Sequence, residues 1–199
     1  TAISDATPAL MIALGIFVLA FVVILFTKID EPEQAPVEVS LIKGALKYRH
    51  FTLGILAIFL YMGIEVGVPT YVNMYLVNTP SLGISAATAG LIVAVYWFMM
   101  LIGRLVGASI GGKISARAMI VTVSSVTIAL TLFGMFAPTD ILVSFPGVDW
   151  GKLELIWQDI PVGIFSFLLV GLCTSVMWGA IFNMAVEGLG KYTAVASGI

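Results

Sequence analysis

The sequence predicts an all-α fold, a polytopic transmembrane helical bundle with five spans. Three observations carry this: 60% of the 199 residues are hydrophobic and only 10% are charged, the mean hydropathy is +1.12, and apolar runs recur at spanning length. A soluble domain carries about 25% charged residues. The uncharged or nearly uncharged runs cover 8–27, 51–77, 84–111, 118–138 and 160–185. Each is long enough for the roughly 20 residues of a membrane-crossing helix. Of the nine Lys/Arg and eleven Asp/Glu, only Glu65 and Arg104 fall inside a run. None of the runs has the period-2 alternation over about ten residues that marks an outer-membrane strand.

Composition also excludes function classes. A net charge of −2 leaves no basic field to hold a nucleic acid, and no P-loop, HExxH, CxxC or GxSxG site is expected. The one histidine, His50, lies at the edge of a span, and no two acids share a span. No metal cluster or nucleophile-base pair is therefore available at membrane depth, and the chain reads as a non-enzyme with no metal and no cofactor. The one cysteine, Cys173, lies in an apolar run, so it reads as a small packing residue outside any disulfide framework.

The elements follow in order. The first run is a span and not a signal peptide, because its positive charge, Lys28, follows the apolar stretch. Residues 30–38 are acidic and proline-bearing, as a linker is. Val39, Ile42 and Leu46 then recur on one face opposite Lys43 and Lys47, which predicts a short interfacial helix leading into the second span. Lys28, Lys43, Lys47 and Arg49 lie in the first interhelical loop, Lys113 and Arg117 in the third and Lys191 after the last span, while the opposite side holds only Lys152. The positive-inside rule makes those loops cytoplasmic. The N-terminus of the chain is then outside, the C-terminus inside, and 139–159 is a long extracytoplasmic loop whose Trp150 and Trp157 suit a membrane-water interface. Five is an odd number of spans, the chain opens on Thr1, and an apolar segment begins after Lys191. A piece of a longer protein is expected.

The second span carries most of the chemistry. Glu65 sits about midway along it, where an ionised side chain costs about 2.5–3.5 kcal/mol to insert. Pro69 has no N–H to give the carbonyl of Glu65, four residues earlier, which leaves an acceptor beside the carboxylate and favours a kink. Tyr61, Glu65, Pro69 and Asn73 share one i, i+4 row, so an aromatic ring, a carboxylate and an amide face roughly one way. A ligand or proton pathway is one reading. The other is a protonated Glu65 bonded to a neighbouring helix, with Gly63 and Gly67 as a GxxxG contact.

In the third span Gly103, Gly107 and Gly111 form a double GxxxG row, a surface for close backbone approach. Arg104 points away from that row, about two turns from Trp97 on its own face. It is open to binding a polar ligand, pairing with a carboxylate, or reaching toward the cytoplasmic headgroups. The last span sets Gly171, Ser175, Gly179 and Asn183 on one row, with Trp178 next to it. Packing accounts for the glycines and the serine, while Trp178 and Asn183 are ligand candidates as an aromatic platform and an amide.

Three stretches resemble one family in order and spacing. LGILAIFLYMGIEVG at 53–67 resembles the seventh helix, YWFMMLIGRLVG at 96–107 the eighth, and FNMAVEGLGKYT at 182–193 the end of the tenth helix of the fucose:proton symporter branch of the major facilitator superfamily. That branch includes glucose/galactose transporters. The resemblance implies five spans of a twelve-helix fold: residues 1–27 as the last helix of the N-terminal half, 28–50 as the central cytoplasmic linker, and 51–199 as helices seven to ten. It further implies a proton-coupled sugar importer in a bacterial inner membrane, working by alternating access. Its partners are then the lipid bilayer, a small sugar, and the missing N-terminal half and last helices of the same protein.

On that resemblance Glu65 accepts hydrogen bonds from sugar hydroxyls, and Tyr61, Asn73, Tyr96, Trp178 and Asn183 support it. Arg104, Pro69, Gly103, Gly107 and Gly111 are then gating or structural, and the coupling carboxylates lie in the N-terminal half. Two departures stand out. The family's cytoplasmic loop motif has an acidic residue that 107–117 lacks, and its usual helix-ten proline is replaced near Gly179. Two alternatives accompany the sugar importer: a transporter of the same superfamily for a cationic compound, and a non-transporting membrane receptor or packing subunit.

Overall fold

The computed structural model describes residues 3–28, 39–149 and 154–198. It divides into two compact units, Thr1–Val37 and Glu38–Ile199. In the first, helix α1 (Ile3–Phe26) carries the apolar stretch Leu10–Phe26. Its large side chains are exposed on every side, Phe17, Leu19 and Phe21 among them. That is the character of a helix apolar all round. The acidic linker predicted at 30–38 lies outside the described residues.

The second unit contains α2 (Val39–Ala45), α3 (Arg49–Asn78), α4 (Ala86–Ile110), α5 (Ala116–Phe136), the strands β1 (Leu142–Asp149) and β2 (Glu154–Pro161), α6 (Val162–Val186) and α7 (Thr193–Ala196). Helices α3, α4, α5 and α6 are long and apolar enough to cross a membrane, so this is a multi-pass membrane protein. Helix starts are local decisions. Ser85 and Ser115 cap α4 and α5, accepting the backbone N–H of Thr88 and of Ala118 at 3.1 and 3.3 Å. Hydroxyls inside the helices bond their own backbone: Ser166 donates to the Gly163 carbonyl at 2.7 Å and Thr127 to Val123 at 2.7 Å. Membrane helices must satisfy polar groups internally.

Helix α6 is the most enclosed of the four and touches α3, α4 and α5. Its small-residue row makes this possible. Gly171 lies against the backbone carbonyl of Tyr96, and Gly103 against the backbone carbonyl of Leu172, so α4 and α6 meet backbone to backbone in both directions. Gly134 of α5 receives Ser166 and Phe167, and Gly54 of α3 receives Ala185. Val72, Leu76, Ile92, Tyr96, Met100, Ile164 and Leu168 form the main core. Cys173 is buried and free, as a packing residue.

Three expectations are corrected in outline. Where a long loop is expected at 139–159, two strands form: β1 and β2 pair antiparallel from Leu142 opposite Pro161 to Asp149 opposite Glu154. Ile160 and Pro161 therefore belong to β2, and the last helix begins at Val162. The hairpin is tied down by Gln158, whose amide donates to the Leu82 carbonyl at 3.1 Å, and by Phe145 against Phe165. Trp157 is exposed, while Trp150 lies outside the described residues.

The second correction concerns α2. It forms, but it ends at Ala45, before Leu46. What it covers is Ala45 and Gly44, which pack on Leu189 and the Tyr192 ring beyond α6, so its covered side meets protein. The third concerns Gly63 and Gly67, where an added Cβ would meet nothing within 4 Å among the described residues. They make no GxxxG contact here.

Candidate functional site

The two charges inside the spans meet. Arg104 Nη2 of α4 lies 3.9 Å from Glu65 Oε1 of α3. Sequence position alone left Arg104 three choices, and the fold selects the carboxylate. Glu65 is largely enclosed, with 13% of its side chain exposed, while Arg104 is 62% exposed. At 3.9 Å and an effective dielectric between protein surface and water, the attraction is roughly 1–4 kcal/mol, less where water screens the arginine. That is comparable with the insertion cost of one mid-membrane carboxylate, so the pairing offsets part of the cost of placing the two charges there. The separation is longer than the 2.7–3.2 Å of a hydrogen bond. Both groups therefore keep hydrogen-bonding capacity for a third party.

A cavity of about 680 Å³ opens beside the pair. It is lined by Tyr61, Met62 and Glu65 from α3, Arg104, Gly107 and Ala108 from α4, Gly111 just past its end, Met119 from α5, and Ser175, Trp178, Gly179 and Asn183 from α6, among others. The size falls within the roughly 300–1,000 Å³ of small-molecule sites. The Tyr61 phenol lies within electrostatic reach of both Glu65 and Arg104. Trp178 is half exposed and stacks on Phe182, ring centroids 5.4 Å apart and planes 8° from parallel. One apolar ring face beside a carboxylate, a guanidinium and an amide is what a polyhydroxylated ligand needs: donors and acceptors for its hydroxyls, and a platform for its C–H face.

Tyr61, Glu65, Trp178 and Asn183 are thus brought together, and Arg104 joins them. Asn73 and Tyr96 are not among the lining residues. From Pro69 onward α3 turns into the core: Pro69 is buried, and Val72 and Leu76 pack into the central cluster. Asn73 is two helical turns from Glu65, about 12 Å along the axis. Tyr96 is fully buried between α4 and α6, and its hydroxyl pairs with Thr174 Oγ1 at 3.2 Å. Its polar handle is used within the fold.

The glycine row divides in the same way. Gly103 and Gly107 meet Ser175 and Val176 of α6, whereas Gly111 lies past the end of α4 and meets only its own helix while lining the cavity. Trp97 stands edge-on to Tyr96 and is half exposed. Sequence reasoning missed Ala108 and gave Gly179 to packing, whereas both are small residues that make the space. The available signal was the absence of side-chain volume at positions neighbouring Arg104 and Trp178.

Two other features test the reading. Against the expectation of no GxSxG site, residues 107–111 do spell G-x-S-x-G, the pattern of a hydrolase nucleophile elbow. It runs through the last turn of a continuous helix instead of a strand-to-helix turn. Ser109 Oγ donates to the Leu105 carbonyl at 2.8 Å, and His50, the only histidine of the chain, stacks edge-on against Tyr48 at the start of α3. A second cavity of about 520 Å³ lies between α3, α5 and α6, lined by Gly63, Gly67, Tyr71, Tyr75 and Phe167 among others, with no charged side chain among the described residues. The charged chemistry is confined to the first. Among the described residues, no group of three or more His, Cys, Asp or Glu is placed to hold a metal ion.

Comparison with known proteins gives a consistent picture. The family model described as Major Facilitator Superfamily matches residues 2–199. A glucose/galactose transporter of Brucella abortus biovar 1 (strain 9-941) is 30% identical over 193 residues, which cover 96% of this chain and 42% of that protein. A putative glucose/galactose transporter of Helicobacter pylori strain J99 is 27% identical over 194 residues, 96% of this chain and 41% of the relative. The chain spans less than half the length of these relatives. No solved structure matches it.

Proposed function

This chain belongs to the Major Facilitator Superfamily, and from that premise we propose that it is part of a proton-coupled importer of a sugar of the glucose, galactose or fucose type, working by alternating access. One observation carries the reading: a mid-span carboxylate and guanidinium 3.9 Å apart open into a cavity that also holds Tyr61, Trp178 and Asn183. The names of the relatives support the choice of substrate class. In this reading α1 is the last helix of the N-terminal half, residues 28–50 link the halves, and α3 to α6 are helices seven to ten of twelve. The remaining length of the relatives supports that assignment.

Charge supports an inner-membrane orientation with Lys113, Arg117 and Lys191 in the cytoplasm. Alternating access rocks the two halves around a central site. The cavity's own contribution is to hold sugar: Glu65 accepts hydroxyl hydrogens, Arg104 donates to hydroxyl oxygens, and Trp178 covers a C–H face.

The test is uptake of radiolabelled glucose, galactose and fucose by the full-length parent at two external pH values, with and without a protonophore, in wild type and Glu65→Gln. The expected result is protonophore-sensitive uptake of one sugar that the substitution abolishes or weakens. Absence of sugar uptake in well-expressed protein refutes the substrate class, and uptake indifferent to the protonophore refutes the coupling.

A further inference from the structure

We infer that the Glu65–Arg104 pair sets the charge class of the substrate, admitting an uncharged polyol and rejecting its amino and acid derivatives. The inference rests on the first cavity being the sugar site proposed above. Among the described residues, Glu65 and Arg104 are the only charged side chains lining that cavity, one of each sign. The rest of its surface is aromatic, amide, hydroxyl or aliphatic. The charges that this chain contributes to the wall balance one against one.

The geometry makes this balance selective. The 3.9 Å separation leaves the carboxylate able to accept and the guanidinium able to donate. Two adjacent hydroxyls, one donating to Glu65 and one accepting from Arg104, satisfy both without adding charge. An ammonium on the same carbon that pairs with Glu65 displaces the guanidinium and stands beside it as a like charge. A carboxylate on the substrate that pairs with Arg104 leaves Glu65, enclosed and unable to withdraw into water, beside a like charge. Either misfit leaves a charge unpaired in a partly desolvated site. A unit charge about 5 Å away at intermediate dielectric changes binding by roughly tenfold or more.

The prediction is a switch of preference with the sign of the remaining charge. Competition against labelled galactose is measured on the purified full-length protein as equilibrium binding, which stays readable in variants that no longer turn over. The competitors are unlabelled galactose, glucosamine at a pH where it is cationic, and galacturonate. Wild type is expected to bind both charged competitors at least about tenfold more weakly than galactose. Glu65→Gln, with net positive lining, should shift the ratio toward galacturonate by about tenfold, and Arg104→Gln toward glucosamine by a similar factor.

The double variant Glu65→Gln/Arg104→Gln should return to the neutral preference. Arg104→Lys and Glu65→Asp, which keep the charges, should hold the wild-type order. Galactose binding whose charge preference ignores both single variants, or changes in the charge-conserving ones, overturns this inference alone. Wild-type protein that binds no sugar overturns the sugar reading and this inference with it.

Discussion

Replacing Gly103 by alanine should separate α4 from α6, and its cost can be worked from the contact. A Cβ at Gly103 would meet both the backbone carbonyl of Leu172 and the Ser175 hydroxyl. A carbonyl fixed in a helix cannot rotate away, and even a weak C–H to carbonyl contact needs about 3.3–3.6 Å. The helices must therefore move apart by about 1 Å at that level. Overpacking of this kind costs about 1–3 kcal/mol. The Tyr96–Thr174 bond, already 3.2 Å long, is stretched with it, at about 0.6 kcal/mol for an interhelical hydrogen bond in a membrane. Alanine's better helix propensity does not compensate, because membrane helices form before they pack.

A total of about 2–3 kcal/mol corresponds to a fall in Tm of roughly 4–12 °C at 2–4 °C per kcal/mol. The assay is the fraction of detergent-solubilised parent protein that stays monodisperse after heating, read by size exclusion. Gly90→Ala on the same helix is the control, since nothing lies within 4 Å of its Cβ position. A Gly103→Ala melting point within about 1 °C of wild type, or an equal loss in Gly90→Ala, refutes the close-packing argument.

Two further substitutions separate packing from substrate contact. Tyr96→Phe removes the hydroxyl bonded to Thr174 in a ring with no exposed surface, so it should lower Tm by about 1–3 °C and leave KM for the sugar unchanged; a large rise in KM at unchanged Tm would return Tyr96 to the substrate site. Trp178→Ala removes the half-exposed ring stacked on Phe182 at the cavity wall and should raise KM about three- to tenfold with little change in kcat, from an aromatic contribution of roughly 0.5–1.5 kcal/mol; an unchanged KM in the uptake assay shows that no sugar lies on that face.

The membrane makes some features legible from sequence and hides others. Span positions were readable because a charge at membrane depth is costly, so the same rule that bounded the helices exposed Glu65 and Arg104 as exceptions. Their pairing was not readable, because the residues lie 39 positions apart on different helices and meet only through the way α3 and α4 pack. Tyr96 shows the opposite difficulty: a tyrosine with a ligand and a tyrosine bonded to Thr174 have the same sequence signature. The hairpin was hidden by its own composition. On β2 Leu155 and Trp157 face out while Ile156 and Ile160 face in, so both faces are apolar and the period-2 contrast of a half-buried strand is lost. Pro146 breaks the pattern on β1 as well. For α2 the relevant residue was Gly44, whose missing side chain admits the Tyr192 ring; a search for apolar periodicity passes over glycine.

Stability and charge placement are joined at one residue step. Gly103 faces α6 and Arg104, the next residue, is rotated about 100° from it, toward the cavity and Glu65. The close approach of α4 to α6 therefore fixes where the guanidinium stands. Glu65, on α3, is held by α3's contact with α6 at Gly54 and Ala185 and by α3's direct packing on α4. The pair distance thus depends on where both helices sit against α6 and against each other. Because 3.9 Å already exceeds hydrogen-bond length, a shift of about 1 Å in either helix changes the pair from a neutral unit able to share one substrate into two separate charges. A glycine contact made for packing and a charge balance made for selectivity then fail together, which is why small residues cluster on the helix that the other three touch.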